Sequence, residues 1–229
     1  MSSPLTRRGR DSGRPAGSSG SVKDVGSVAC GRYYRPEMPR PDETAGRDRL
    51  SAVALAALAL LVVVFLLATL PYLEDFPLMT ADQTGIAAPA WKLARTGVYG
   101  NDTYTGFFRT EERNYEYMPL YPILVAASYR LFGLGVVPAR GVSVACGVAL
   151  LLLVFAFARR IGGPPAGVLA AGSLCLLKLG ASGGGSGVPL VDLSRFIRYD
   201  ILVPVWVVAA GIAVLSAERL EKSYLRAGL

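Results

Sequence analysis

Histidine is missing from this chain of 229 residues, and cysteine occurs only at Cys30, Cys146 and Cys175. Without histidine, a Ser-His-Asp triad and a His-based zinc site are excluded. The three scattered cysteines indicate neither a disulfide framework nor a metal cluster. The Gly-rich stretch 181–187 is not followed by the Gly-Lys-Ser/Thr of a phosphate loop. We therefore predict no cofactor, and a carboxylate-bound divalent cation stays as an open alternative.

Charge is missing from the run Ser51–Leu70, in a chain that is 52% hydrophobic with a mean hydropathy of +0.40. At about 1.5 Å per helical residue this run spans the roughly 30 Å hydrocarbon core of a bilayer. Shorter apolar runs follow at 141–158, 166–180 and 201–217. The pattern predicts an all-α integral membrane protein with about four transmembrane helices, in contact with membrane lipid.

A fifth apolar segment, 119–137, is ambiguous. It carries Arg130 near its middle and prolines at 119 and 122. A charged residue inside a lipid-facing span is costly, so the segment is expected to lie along the interface or to pack against other helices without crossing.

Residues 1–50 are rich in Arg, Ser, Gly and Pro and show no apolar periodicity. We interpret them as a disordered basic tail that contributes much of the net charge of +7. Apart from Tyr33 and Tyr34, no aromatic residues lie among these arginines, and no binding module accompanies them, so we predict no nucleic-acid partner.

The distribution of arginine and lysine predicts the orientation. With a cytoplasmic N-terminus and four spans, Arg159, Arg160 and the basic end 218–229 lie in the cytoplasm of a multi-pass cell-membrane protein. A large first loop (71–140) and a short second loop (about 181–200) then face outward. If 119–137 also crossed, the later loops would exchange sides.

The first outer loop contains a predicted helix between Thr80 and Gly100. Ile86, Ala90, Leu93 and Ala94 recur at helical spacing, and Thr96-Gly97 supplies a stop. Asp82 is placed just before the helix, where a carboxylate either caps exposed N–H groups or acts as a base beside the membrane. Both interpretations stay open on these residues alone.

Several segments occur in an order that resembles the N-terminal part of the membrane-embedded GT-C glycosyltransferases. They are an apolar span, an outer Asp-Gln that opens a helix, the stretch MPLYPILVAASYRLFG, an Arg-led span and a second loop with SRFIRYD. Within that fold, the chain is similar to protein O-mannosyltransferases and lipid A aminoarabinose transferases. The resemblance covers roughly residues 51–217 and implies juxtamembrane helices in the first outer loop.

The resemblance also implies an activity, which is transfer of a sugar from a polyprenyl-phosphate donor to a hydroxyl of a glycan, lipid or protein acceptor. Asp82 matches the first-loop aspartate that serves as general base, and Asp200 matches the second-loop Arg-x-Asp. Gln83 stands where many members have Glu. The predicted substrate-binding residues are Arg198, Arg195, Arg140, Tyr117 and Tyr121. One of the three arginines is expected near the leaving phosphate.

Members of this group continue through more spans than this chain contains. The end of the chain, 218–229, is therefore predicted to be a truncation, and the isolated chain is expected to be inactive. The alternative function is a non-catalytic multi-pass membrane protein, such as a transporter subunit or an assembly factor, in which Asp82 and Asp200 only cap helices.

Overall fold

The computed structural model describes residues 41–114, 116, 118–179 and 186–227. Within these ranges the protein is helical, with no strand. The helices are α1 (Pro41–Thr69), α2 (Ala81–Thr96), α3 (Leu120–Phe132), α4 (Val136–Leu176), α5 (Pro189–Ser194) and α6 (Leu202–Ala227). Two 3-10 turns, Asp102–Tyr104 and Tyr199–Ile201, lie in the connections.

Three of the described helical stretches are long and apolar enough to cross a membrane. They are Arg49–Thr69, Val136–Leu176 and Tyr199–Ala217. The described part of the chain is therefore all-helical, and three of its helices have the length and apolar composition of membrane-spanning helices.

The 41-residue helix α4 contains the two middle apolar runs, which the sequence separates at Gly162-Gly163-Pro164-Pro165. Gly163 has φ 79° and ψ −175°, which is outside helical geometry and open to glycine. A Cβ on Gly167 would lie 2.9 Å from the Phe155 carbonyl oxygen, whereas residues twelve apart in a straight helix are about 18 Å apart. The chain therefore folds back at Gly163 into two helices, 136–162 and 164–176. The second spans only about 20 Å, so the count of four spans stays a prediction.

Helix α1 begins earlier than the apolar run. Its first residue is Pro41, so the last ten residues of the segment predicted to be disordered are helical. Proline is favoured at a first helical position because its missing N–H has no intrahelical acceptor there. The polar residues that follow extend the helix of the first span. Residues 1–40 lie outside the described part of the chain.

The helical bundle has two ends. We call the end where the chain turns at Gly163 the turn end, and the end where α1 stops at Thr69 the loop end. At the turn end, Arg159 donates to the Ser51 hydroxyl (3.4 Å) and Arg160 to the Ser216 hydroxyl (2.5 Å). At the loop end, Arg195 donates to the Ala68 carbonyl (2.6 Å), next to the end of α1. Helix α1 therefore runs from the turn end to the loop end, and 136–162 and α6 run in the opposite direction.

Two apolar cores follow this division. The first lies among the long helices and α5 and is centred on Phe65, Leu151 and Phe155. The second joins α2, α3 and the start of α4 to the segment before α6, and it contains Ile86, Val125 and Ile197. The second core is the one that positions the candidate site.

Helix α2 confirms the helix expected from its sequence. It ends at Thr96, and Gly97 (φ 77°) donates its N–H to the Leu93 carbonyl in the left-handed conformation that favours glycine. The start differs by two residues, because Thr80 is the capping position and Asp82 lies inside the first turn.

Helix α3 occupies the ambiguous fifth segment. Its 13 residues extend about 20 Å, short of a full crossing. The Arg130 guanidinium donates to the carbonyls of Ala94 (3.0 Å) and Leu93 (3.3 Å) at the end of α2. Arg130 therefore provides hydrogen bonds to carbonyls in the last turn of α2, which have no partner within that helix.

The connection between α2 and α3 folds back onto α2. Lys92 pairs with Asp102 and donates to the Glu111 carbonyl (2.6 Å). Asn101, within the triplet Asn101-Asp102-Thr103, is fully buried and accepts a hydrogen bond from the Thr103 N–H (3.0 Å). The triplet has the sequence of a glycosylation site, but its asparagine is inaccessible in this fold.

Candidate functional site

The loop end brings two distant parts of the sequence into contact. The Gln83 side chain, in the first turn of α2, accepts a hydrogen bond from the Ile197 N–H at 3.3 Å. Asp82 precedes Gln83, and Arg198 follows Ile197. The structure therefore places the start of α2 next to the segment that carries Arg198 and Asp200.

Gln83 is fully buried and occupies the centre of this contact. Its Oε1 accepts a second hydrogen bond from the Arg140 guanidinium (3.3 Å), and its Nε2 lies 3.5 Å from the Leu78 carbonyl. A neutral amide can accept and donate at once, whereas an ionised carboxylate can only accept. Gln83 thereby connects α2, α4 and the segment 195–201.

Arg140 lies beside Gln83 and is 1% exposed. It donates to the Leu73 carbonyl (2.7 Å) and the Pro77 carbonyl (2.5 Å), and its Nε has no partner among the described residues. These carbonyls belong to the irregular connection between α1 and α2, where no helix satisfies them. In this conformation Arg140 binds the protein main chain, so the phosphate contact predicted for it requires a rearrangement.

Besides the hydrogen bonds of Gln83, a second set links α3 and α4 to the segment before α6. The buried Tyr121 hydroxyl lies 2.6 Å from the Ser143 hydroxyl, which donates to the Phe196 carbonyl at 2.6 Å. Burial raises the pKa of Tyr121 well above its usual value, so the phenol stays neutral and able to donate. Tyr121, predicted to bind substrate, is buried in this fold and connects α3, α4 and the segment 195–201.

Arg195, the third predicted phosphate ligand, lies at the end of α1. Its guanidinium donates to the carbonyls of Ala68 (2.6 Å), Thr69 (3.3 Å) and Pro71 (3.4 Å) and lies 5.9 Å from the centre of the Phe76 ring. A cation at a helix C-terminus satisfies the last carbonyls and complements the helix dipole. Arg195 therefore has a structural task in this fold, apart from the phosphate contact predicted for it.

Arg198 and Asp200 lie on the solvent-exposed side of the contact between α2 and the segment before α6. Arg198 Nε lies 3.2 Å from Asp200 Oδ2, and both side chains are close to half exposed. The pair opens α6 through the 3-10 turn Tyr199–Ile201. Of the predicted arginine ligands, Arg198 is the one whose guanidinium faces outward from the described structure.

Asp82 is exposed and has no hydrogen-bond or ion-pair partner among the residues that the structure describes. It does not cap α2, since the capping position is Thr80, whose side chain makes no capping hydrogen bond. A carboxylate in the first turn of a helix is stabilised in its charged form by the helix dipole. The role of Asp82 as a base stays a prediction.

Two further predictions concern Tyr117 and a metal ion. Tyr117 lies outside the described residues. Within the described ranges, no group of three or more Asp, Glu or Cys side chains is arranged to hold a metal ion. The charged side chains that are exposed or half exposed here are the carboxylates of Asp82 and Asp200 and the guanidinium of Arg198.

The comparisons with known proteins add no family assignment. Scans of protein-family models, curated proteins and solved structures found no match to this chain.

Sequence reasoning missed the connecting roles of Gln83 and Ser143. Gln83 was noted only as a departure from a family pattern, and Ser143 was part of an apolar span. A local signal exists for Ser143, which follows Arg140 by almost one helical turn and so shares its face. For Gln83 no such signal exists, because its partners are 57 and 114 residues away.

Proposed function

We propose that this chain is the N-terminal part of a membrane-embedded glycosyltransferase of the GT-C type. It moves a sugar from a polyprenyl-phosphate donor to an acceptor hydroxyl at the outer face of the cell membrane. The observation that carries the proposal is the Gln83–Ile197 hydrogen bond of 3.3 Å, since it brings Asp82 together with Arg198 and Asp200.

The proposal assigns the loop end to the outside and the turn end to the cytoplasm. Arg49, Arg159 and Arg160 all lie at the turn end, as expected for a cytoplasmic face. With four crossings and a cytoplasmic N-terminus, the hairpin at Gly163 turns on the cytoplasmic side. The segment 195–201 then lies on the same side of the membrane as α2.

The reaction requires a base, a positive charge and access to lipid. Asp82 accepts the proton of the acceptor hydroxyl, whose oxygen attacks the anomeric carbon of the sugar. The bond from that carbon to the phosphate oxygen breaks, and its electron pair stays on the leaving polyprenyl phosphate. Arg198 stabilises the negative charge of that phosphate, and Asp200 orients Arg198.

The experiment compares cells with the intact gene, without it, and with Asp82→Asn. Membranes from each receive a radiolabelled polyprenyl-phosphate sugar, and labelled products are resolved by size and by extraction into organic solvent. We expect one labelled product to disappear without the gene and with Asp82→Asn, and to return on complementation. An identical product profile in all three membranes would refute the proposal.

A second candidate function is a non-catalytic membrane protein, such as a transporter subunit or assembly factor. The observation that favours it is that Arg140 and Arg195 bind main-chain carbonyls. In that case, deletion of the gene changes the abundance of another membrane protein and leaves the labelled products unchanged.

A further inference from the structure

The segment 196–198 carries the Arg198 side chain and ends in extended conformation. Arg198 has φ −141° and ψ 134°, but the described residues contain no strand that could pair with it. Buried peptide groups that lack a helix or strand partner need other donors and acceptors. In this segment, side chains of α2, α3 and α4 supply them.

The peptide group between Phe196 and Ile197 is held at both of its polar atoms. Its carbonyl accepts a hydrogen bond from the Ser143 hydroxyl at 2.6 Å, and its N–H donates to the Gln83 side chain at 3.3 Å. Ser143 and Gln83 are both fully buried. The plane of this peptide group is therefore fixed, one residue before Arg198.

Tyr121 extends this arrangement to the next peptide group. The Ser143 hydroxyl has a single hydrogen, which it donates to the Phe196 carbonyl, so the Tyr121 phenol donates to Ser143 across 2.6 Å. The phenol oxygen can still accept, and the backbone N–H of Arg198 interacts with it. Two hydroxyls thereby connect the main chain before Ile197 with the main chain after it.

Apolar side chains anchor the same stretch of backbone. Ile197 and Ile201 are fully buried in the second core. Between them, the side chains of Arg198 and Asp200 are 47% and 44% exposed. An exposed charged pair on a fixed backbone loses less conformational freedom when it binds a ligand.

We propose that Gln83, Tyr121 and Ser143 are positioning residues for Arg198. They fix the main chain from which the Arg198 guanidinium reaches a phosphate, whereas Asp200 orients the guanidinium itself. The inference rests on the proposed function, in which Arg198 stabilises the leaving phosphate.

Two substitutions remove single hydroxyls from this arrangement, and α3 supplies matched controls. The test variants are Tyr121→Phe and Ser143→Ala. The control Tyr129→Phe removes a phenol from the same helix, and Ser128→Ala removes a hydroxyl that donates to a main-chain carbonyl of α4 at 2.7 Å. Neither control hydroxyl is hydrogen-bonded to 196–198 in the described structure. Circular dichroism of the purified full chain verifies that all four variants keep their helix content.

Amide hydrogen exchange tests the positioning without any assumption about activity. We expect the amides of 196–198 to exchange about three- to tenfold faster in Tyr121→Phe and Ser143→Ala, as for the loss of one net hydrogen bond. Exchange of these amides should stay at the wild-type rate in Tyr129→Phe and Ser128→Ala. Wild-type rates in both test variants would overturn the proposal.

Binding of farnesyl phosphate, a prenyl monophosphate without a sugar, tests whether the effect passes through Arg198. Isothermal titration of the full chain in detergent micelles measures the Kd. We expect Arg198→Gln to raise the Kd about tenfold, since a charged hydrogen-bond donor is lost, and Tyr121→Phe to raise it about threefold. The double variant should bind no more weakly than Arg198→Gln alone, because a positioning residue has no effect once its target is gone.

The two measurements separate this proposal from the proposed function. If the losses from Tyr121→Phe and Arg198→Gln add in the double variant, Tyr121 acts independently of Arg198 and the positioning role is refuted. If the wild type does not bind farnesyl phosphate while exchange is faster in both test variants, the positioning of the Arg198 main chain is supported. That second result would refute the phosphate contact of Arg198, and with it the proposed transferase.

Discussion

The loop end and the turn end of the bundle both contain arginines, but they use them differently. At the loop end, Arg140 donates to carbonyls of the irregular connection between α1 and α2, and Arg195 donates to the last carbonyls of α1 and to the Pro71 carbonyl. At the turn end, Arg159 donates to the Ser51 hydroxyl, and Arg160 donates to the Ser216 hydroxyl and the Ile212 carbonyl of α6. Long connections have unpaired peptide groups that require internal donors, whereas a tight hairpin has few. The difference indicates that the loop end is built to hold two long segments in a fixed relation.

The largest expected contrast between the two ends is in their reaction with a reagent that cannot cross the membrane. One end should be labelled in intact cells and the other should not. In a variant without its three cysteines, Thr103→Cys and Tyr199→Cys at the loop end should react with a membrane-impermeant thiol reagent added to intact cells. Ile161→Cys, at the turn end, should react only after permeabilisation. Labelling of Thr103→Cys and Tyr199→Cys from opposite sides would show that α3 crosses the membrane.

The two carboxylates of the loop end give the next largest effect. The proposed transferase activity predicts that Asp82→Asn lowers kcat by about 10²- to 10⁴-fold with donor binding nearly unchanged, because a general base acts in the transition state. Asp200→Asn should alter KM as well as kcat, since Asp200 holds Arg198 at 3.2 Å. The measurement is steady-state kinetics with varied donor. Near-normal turnover of Asp82→Asn, together with loss of kcat alone in Asp200→Asn, would reverse the two roles.

Removal of an arginine should destabilise the protein far more at one end than at the other. Arg140→Ala leaves the carbonyls of Leu73 and Pro77 buried without donors, which costs roughly 2–5 kcal/mol in free energy of unfolding. Arg160→Ala removes an exposed contact and should cost less than about 1 kcal/mol. Detergent-titration unfolding followed by circular dichroism measures both. Equal losses would mean that the two ends are held in the same way.

A smaller change in the free energy of unfolding is expected in the exposed connection 98–114, which we call the rim of the loop end. Lys92 pairs with the exposed Asp102, so Lys92→Ala should change the free energy of unfolding by only about 1 kcal/mol. The change should instead appear as faster amide hydrogen exchange in residues 98–114, which Lys92 holds against α2. Faster exchange that extends into α3 would show that the rim also supports the second core.

The helices were the predictable part of this fold. The apolar runs and the stop at Gly97 depend on neighbours in sequence, and helices occur at or near the expected residues. The start of α1 at Pro41 was missed because its first ten residues carry the polar composition of a disordered tail. The early end of the helix at Leu176 was missed because the apolar run continues to residue 180.

The candidate site was predictable only in its location. The predicted four-span topology puts Asp82 and Asp200 in segments on one side of the membrane, and the structure brings those segments into contact. The internal roles of Arg140, Arg195 and Tyr121 do not, because they depend on carbonyls and hydroxyls of distant residues. A sequence shows that an arginine is present but not which peptide groups lack a donor.

The hydrogen bond from Ile197 to Gln83 joins residues 114 positions apart, and this imposes a schedule on biosynthesis. At about 5–20 residues per second, the ribosome needs roughly 6–23 s to advance from Gln83 to Ile197. Arg140, the other partner of the Gln83 amide, is made about halfway through this interval. The Gln83 side chain is therefore synthesised without either partner, and its last hydrogen bond forms only after Ile197 has been made.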